Sequence, residues 1–199
     1  MATMVAGSNA PLTAENPGLA GVMVAMGWQI VPSNGPQSEL TSLAIVCGED
    51  GRALSPEHLV FFNQLTTAGG GVSFAGSPNA AHGTAQGTEQ GAAHDAEQVD
   101  VEFGLVPAEV AKIAFLAYVD PEVRGPGTFG AVRSAYIRIA RPDGSELLRF
   151  DLPEIHGEKI KAMMFGELYR HGEHWKFRAL GQGYENGLAG VARDFGLDL

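Results

Sequence analysis

The stretch from Met163 to Gly190, MMFGELYRHGEHWKFRALGQGYENGLAG, leaves this chain few ways to fold. Met163–Arg170 and Trp175–Leu180 are apolar and aromatic runs of strand length. They flank His171-Gly172-Glu173-His174, whose glycine and polar residues suit a tight turn. Gly181-Gln182-Gly183 then interrupts the run. Gly187–Phe195 follows, with Leu188, Val191, Ala192 and Phe195 on one helical face. Strand, turn, strand and a short amphipathic helix must pack together, because neither a lone hairpin nor a lone short helix is stable in water.

The rest of the sequence is cut into short pieces by 27 glycines and 11 prolines, which favours strands and turns over long helices. Gly21–Trp28 and Leu43–Gly48 read as strands, the latter ending at Glu49-Asp50-Gly51. Leu59–Asn63 is short and apolar enough to be covered on both faces. Ala68–His94 is rich in Gly, Ala, Thr and Gln and carries almost no large apolar residue, so it is expected to be a long mobile loop, with Val72–Ala75 as the end of a strand. Glu97–Phe103 resumes the strand pattern. Pro107-Ala108-Glu109-Val110 suits a helical turn. Lys112–Val119 is a strand, and Ala135–Ala140 with Glu146–Asp151 forms a hairpin across Arg141-Pro142-Asp143-Gly144-Ser145. With no internal repeat and no linker, the pattern predicts one domain over 1–199: an antiparallel β-sandwich of two sheets with one or two short helices.

Thirteen Lys+Arg against twenty-three Asp+Glu leave a net charge of −10. Such a chain repels nucleic-acid phosphates and anionic lipid, so neither is expected as a partner. The single cysteine, Cys47, lies in the apolar run LAIVCG and is expected to be a buried, inert thiol. No intrachain disulfide is possible, and no segment approaches the roughly 18 apolar residues of a membrane helix. A soluble cytoplasmic protein is expected.

Several short motifs recur in the order and spacing of one family. They include Gly27-Trp28, Val60-Phe61-Phe62-Asn63, Ala135-Tyr136-Ile137-Arg138, Phe165-Gly166-Glu167-Leu168-Tyr169-Arg170, Trp175-Lys176-Phe177-Arg178-Ala179 and Gly181-Gln182-Gly183-Tyr184. In these the chain resembles the TerD family, the tellurium-resistance and general-stress proteins of bacteria, and the likeness runs over nearly the whole length. The resemblance implies a two-sheet β-sandwich, a cytoplasmic stress or tellurite-resistance role, calcium bound by loops at one end, and no established catalysis.

Calcium requires about six to eight converging hard oxygens. Where the family pattern has an Asp-Leu-Asp pair, this chain has Glu39-Leu40-Thr41; where the family has Asp after Gly-Trp, it has Gln29. A second family cluster reads here as Gly76-Ser77-Pro78-Asn79 and Ala93-His94-Asp95-Ala96-Glu97. Ser77 or Pro78 takes the place of an aspartate, while Asn79, Asp95 and Glu97 persist. Glu39, Asn79, Asp95 and Glu97 are therefore the candidate ligands of a degenerate calcium site. Asp120 and Glu122 are possible additions, with Arg124 beside them as a structural counter-ion.

His82, Glu89, His94 and Asp95 match no compact zinc spacing, and His171 and His174 fit a solvated turn. No nucleophile elbow or phosphate loop is present. Three readings stay open. The first is a non-catalytic stress protein that binds protein partners, with calcium control weakened or lost. The second is a calcium-regulated binder that keeps one site. The third is an enzyme with a site under the Ala68–His94 loop.

Overall fold

The computed structural model describes residues 2–31, 39–76, 95–120, 127–153 and 157–198. Two six-stranded sheets face each other. The first holds, in spatial order, β1 (Ala2–Thr3), β10 (Glu146–Asp151), β9 (Val132–Ala140), β3 (Gly21–Ile30), β7 (Asp95–Glu102) and β6 (Val72–Gly76). The second holds β2 (Asn9–Pro11), β12 (His174–Tyr184), β11 (Ala162–His171), β8 (Lys112–Val119), β4 (Leu40–Cys47) and β5 (Leu59–Val60). Every ladder is antiparallel except that of β1 along β10.

The alternation of the strands explains the layers. Val22, Val24 and Met26 of β3, Ile137 and Ile139 of β9, and Val99 and Val101 of β7 point inward from the first sheet. They meet Ala44 and Val46 of β4, Ile113 and Phe115 of β8, and Phe165 and Leu168 of β11. Residues two apart share a face, so each strand commits one whole set to this layer. The outer face of the second sheet is apolar as well: Leu43, Ile45, Cys47, Leu116 and Met164 are buried there under α1 (Gly187–Phe195), through Val191, Ala192 and Phe195. That explains why β4 reads as a continuous apolar run, being covered on both sides. Cys47 is fully buried, and burial pushes its thiol up to about 12, so it is an unreactive core side chain.

The C-terminal stretch folds as its pattern requires. β11 and β12 pair from Ala162↔Tyr184 to His171↔His174 across a two-residue turn in which Gly172 takes a left-handed φ of 63°. Against β8, Phe165 is an extra residue in β11, inserted between the pairs Met164↔Leu116 and Gly166↔Phe115; against β12 the extra residue is on β12, between Gln182 and Ala179. The bulge leaves Gly166 where the ring of Phe177 crosses the strand; a Cβ there would lie 2.5 Å from Phe177 Cζ and 2.6 Å from the carbonyl oxygen of Arg178. Arg170 fastens the near pole. It donates from Nε to Val110 O (2.8 Å) and from Nη2 to Val106 O (3.0 Å) and Pro107 O (3.1 Å), while its guanidinium stacks 4.5 Å from the Trp175 ring centre. The segment Val106–Val110 is a single hydrogen-bonded turn, Val110 N donating to Pro107 O at 3.1 Å, and its carbonyls also accept from Arg170.

Two local expectations are modified. Leu59–Asn63 is strand only over Leu59–Val60, since Phe61 and Gln64 exchange both backbone bonds and close a turn. The strand expected to end at Ala75 runs over Val72–Gly76, and residues 77–94 of the expected loop lie outside the described residues. The edge strands β1 and β2 carry no sequence signal of their own, being two and three residues long.

The contacts at Gly166 make it sensitive to one added methyl. Gly166→Ala is expected to cost about 2–3 kcal/mol and to lower the melting temperature by roughly 5–10 °C. Gly104→Ala, with nothing within 4 Å of the new methyl, is expected to leave melting within about 1 °C. Thermal unfolding followed by circular dichroism checks both.

Candidate functional site

The strand directions gather one set of ends. β3 ends at Ile30, β4 begins at Leu40, β6 ends at Gly76, β7 begins at Asp95, β8 ends at Val119 and β11 begins at Ala162, all at the pole away from Arg170. Glu39, Asp95, Glu97 and Asp120 lie there. Asn79, Glu122 and Arg124 fall outside the described residues, as do His82, Glu89 and His94.

β7 does not run evenly past β3. Glu97 pairs with Met26 and Asp95 pairs with Gly27, so Ala96 is an extra residue on β7. The bulge undoes the two-residue alternation. Glu97 keeps the inward parity of Val99 and Val101, whereas Asp95 turns to the outer face that Gly27 shares with Tyr136 and Arg138. The two carboxylates, two residues apart in sequence, leave the sheet on opposite sides.

On the outer side, Asp95 is enclosed. Arg138 donates from Nε to both of its oxygens (2.9 and 3.1 Å) and from Nη2 to Oδ2, and the Tyr136 hydroxyl donates to Oδ1 at 2.7 Å. Burial alone would raise the Asp95 carboxyl; the bonds from Arg138 and Tyr136 outweigh it and hold the group below its ordinary 3.8. The Tyr136 ring lies across Gly27, where any Cβ would come within 2.3 Å of it, and Arg149 covers the ring from 3.8 Å above its centre. Arg149 is held in turn by Asp151, through Nε at 3.0 Å and Nη2 at 2.8 Å. Burial and the bond to Asp95 push the Tyr136 phenol well above its usual value, so it stays a donor.

On the inner side, Glu97 crosses to the opposite sheet. β5 covers β4 only at Ala44 and Ile45, so the β4 edge is open towards Leu40. The Ser42 N–H on that edge is buried and donates to Glu97 Oε2 at 2.5 Å. The Ser42 hydroxyl approaches the same carboxylate without a well-directed hydrogen bond. Burial raises the Glu97 carboxyl, opposed by the contacts from Ser42. Glu39 is exposed, and its carbonyl accepts from the Asp120 N–H at 2.9 Å, which extends the β4–β8 ladder by one bond.

Of the predicted donors, the structure brings Glu39, Asp95 and Glu97 to one pole but does not converge these three on one point. Asp95 is committed to a guanidinium and a phenol, Glu97 faces the interior, and Glu39 faces solvent. Among the described residues, no three His, Cys, Asp or Glu side chains are grouped to hold a metal. The described donors do not by themselves supply the oxygen cage calcium needs. Arg138, Tyr136 and Ser42 were missed as participants. Tyr136 and Arg138 were legible as a same-face pair by their spacing, but the acid they serve is set by a bulge without a sequence signal.

Asp95 contributes to stability because its carboxylate is favoured in the folded state. Its folded value lies below 3.8, so its stabilisation is complete above that pH and is lost as pH falls through the lower folded value. Asp95→Asn is expected to cost about 1–2 kcal/mol at pH 7, less than for a fully buried pair because both partners keep some solvent contact. Urea unfolding at pH 7 and at acid pH should show this loss shrinking as pH falls through the folded value.

Comparison with known proteins accords with this architecture. The TerD domain profile matches residues 1–195. The chain is 36% identical to general stress protein 16U of Bacillus subtilis over 200 residues, covering 99% of this chain and 98% of that one. It is 33% identical to the tellurium resistance protein TerD of Serratia marcescens over 193 residues, covering 96% and 95%. Among solved structures it is similar to a homologue of a telluride resistance protein from Streptomyces coelicolor A3(2), with a TM-score of 0.62 and 20% identity, over 86% of this chain and 94% of that one. That likeness is one of fold. Both β-sandwich and sequence place the chain in the same group: it belongs to the TerD family.

Proposed function

We propose that this chain is a non-catalytic stress-response protein of the TerD type, acting in the cytoplasm as an interaction module for protein partners, with calcium binding weakened relative to a full site. The family relationship and the names of the relatives support the stress role. One observation carries the calcium part: the Ala96 bulge gives Asp95 to Arg138 and Tyr136 and turns Glu97 to the interior. A cation at Asp95 has to displace a guanidinium already bound through both carboxylate oxygens. The alternative, a calcium-regulated binder that keeps one site, draws on the placement of Glu39, Asp95, Glu97 and Asp120 at one pole.

Calcium titration of chelator-stripped protein separates the two. An ion that binds only the folded state stabilises it by mass action. A site with a dissociation constant near 1 mM adds about 0.4 kcal/mol at 1 mM calcium, so melting is expected to rise by only about 1 °C. A micromolar site would add about 4 kcal/mol and raise melting by roughly 8–16 °C. A rise of that size, with saturable heat in calorimetry, would overturn the weakened-site reading and establish the calcium-regulated one.

A further inference from the structure

Phe62, Leu65 and Leu105 are 48%, 56% and 51% exposed, three of the five large apolar side chains left open among the described residues. The other two, Val5 and Val31, stand alone elsewhere. The three share one lateral edge of the sandwich, where β5 passes from the second sheet to β6 in the first. Phe62 is at the tip of the turn that Phe61 and Gln64 close with bonds of 3.0 and 2.9 Å. Leu65 belongs to a segment laid along β6, with Phe74 N donating to Leu65 O at 2.7 Å and Thr67 N to Val72 O at 3.0 Å. Leu105 is in the turn after β7, with its backbone packed on Gly71, where a Cβ would come within 2.7 Å. Leu65 and Thr67 spend their backbone groups on β6, so those of Thr66 between them face away from the sheet.

The charge around these residues is mainly acidic; the exception is Arg170, held on the Val106, Pro107 and Val110 carbonyls beside Leu105. Between Arg52 and Lys112 the sequence holds no lysine or arginine. The strands β5, β6 and β7 that build the edge fall in this interval, and β3 and β4 beside them carry no basic residue either. Glu57 in the turn before β5, Glu102 at the end of β7 and Glu109 in the turn that follows Leu105 are exposed. Isolated apolar side chains on a surface need no explanation, but a set along one edge with acidic neighbours and an open backbone segment presents the components of a docking surface.

We propose that this edge docks an extended, basic segment of a partner protein, with apolar side chains of the segment set against Phe62, Leu65 and Leu105 and its lysines or arginines against Glu57, Glu102 and Glu109. Charge selects this occupant. A second copy would set acidic edge against acidic edge, and nucleic acid or an anionic membrane would meet the same repulsion. The inference rests on the interaction-module reading above and gives that module a place.

The test uses the full chain and two synthetic probes, a peptide of alternating leucine and lysine and its twin of leucine and glutamate, read by fluorescence anisotropy. The basic peptide is expected to bind and the acidic one not. Leu65→Ser and Leu105→Ser should each weaken binding about tenfold, as loss of an apolar anchor does. Glu57→Gln and Glu102→Gln should flatten its decline with salt. Val5→Ser, on a distant exposed residue, should change nothing, and near-wild-type melting of each variant shows that folding is intact. Equal binding of the acidic peptide, or no binding of either, overturns the proposal. Binding of the basic peptide that survives both leucine variants overturns this edge while leaving the interaction-module reading in place. A dimer in sedimentation velocity that Leu65→Ser disperses also overturns it, in favour of self-association.

Discussion

The inner faces of the two sheets can leave water only against each other, and the remaining features follow from that contact. Phe115, Phe165, Phe177, Phe150 and Phe129 are fully or almost fully buried, alongside Ile113, Ile137 and Met26. At about 25 cal/mol per Å² of apolar surface, this layer is the dominant favourable term, and it binds every long strand to one facing. A slip of one residue would expose Val24 and Met26 in β3, or Ile137 and Ile139 in β9. Register is therefore held by burial, and polar residues are confined to outer faces, poles and bulges.

The bulges are where that rule is locally broken, and two of them have clear consequences. At Phe165, the residue β11 gains over β8, the ring stays inward next to Gly166, whose missing Cβ leaves room for Phe177. At Ala96 it splits a carboxylate pair between the two sides of a sheet. Asp95 then completes a surface lattice with Tyr136, Arg138, Arg149 and Asp151, and Glu97 caps an open N–H across the sandwich. The second role satisfies a buried N–H that would otherwise stand unpaired on the open β4 edge.

The two poles are built differently. At one, Arg170 binds three carbonyls and stacks on Trp175, which rests on Phe103 with ring centres 5.4 Å apart, so loops there are tied to the core. At the other, carboxylates gather on strand ends. Function in a sandwich of this kind belongs to the surfaces that the core positions and does not itself use. Among the described residues, the pole that gathers Glu39, Asp95, Glu97 and Asp120 and the edge that carries Phe62, Leu65 and Leu105 are surfaces of this kind.

The sequence by itself determined the strand-rich class, the hairpins over Ala135–Asp151 and Met163–Leu180, the extent of β8 and of the terminal helix, and the inert burial of Cys47, because local alternation, turn chemistry and helical spacing carry that information in adjacent residues. The family motifs were legible too, including Tyr136 and Arg138 as a pair. Only the tertiary structure decided what Asp95 and Glu97 face. Their two-residue spacing implies a common side, and the implication fails because the strand must gain a residue at Ala96 to stay paired with β3. The partners that then meet them, Arg138 across one sheet and Ser42 across the interior, are 43 and 55 residues away in the chain. Local spacing cannot encode such a meeting; it arises when two sheets close on one apolar layer.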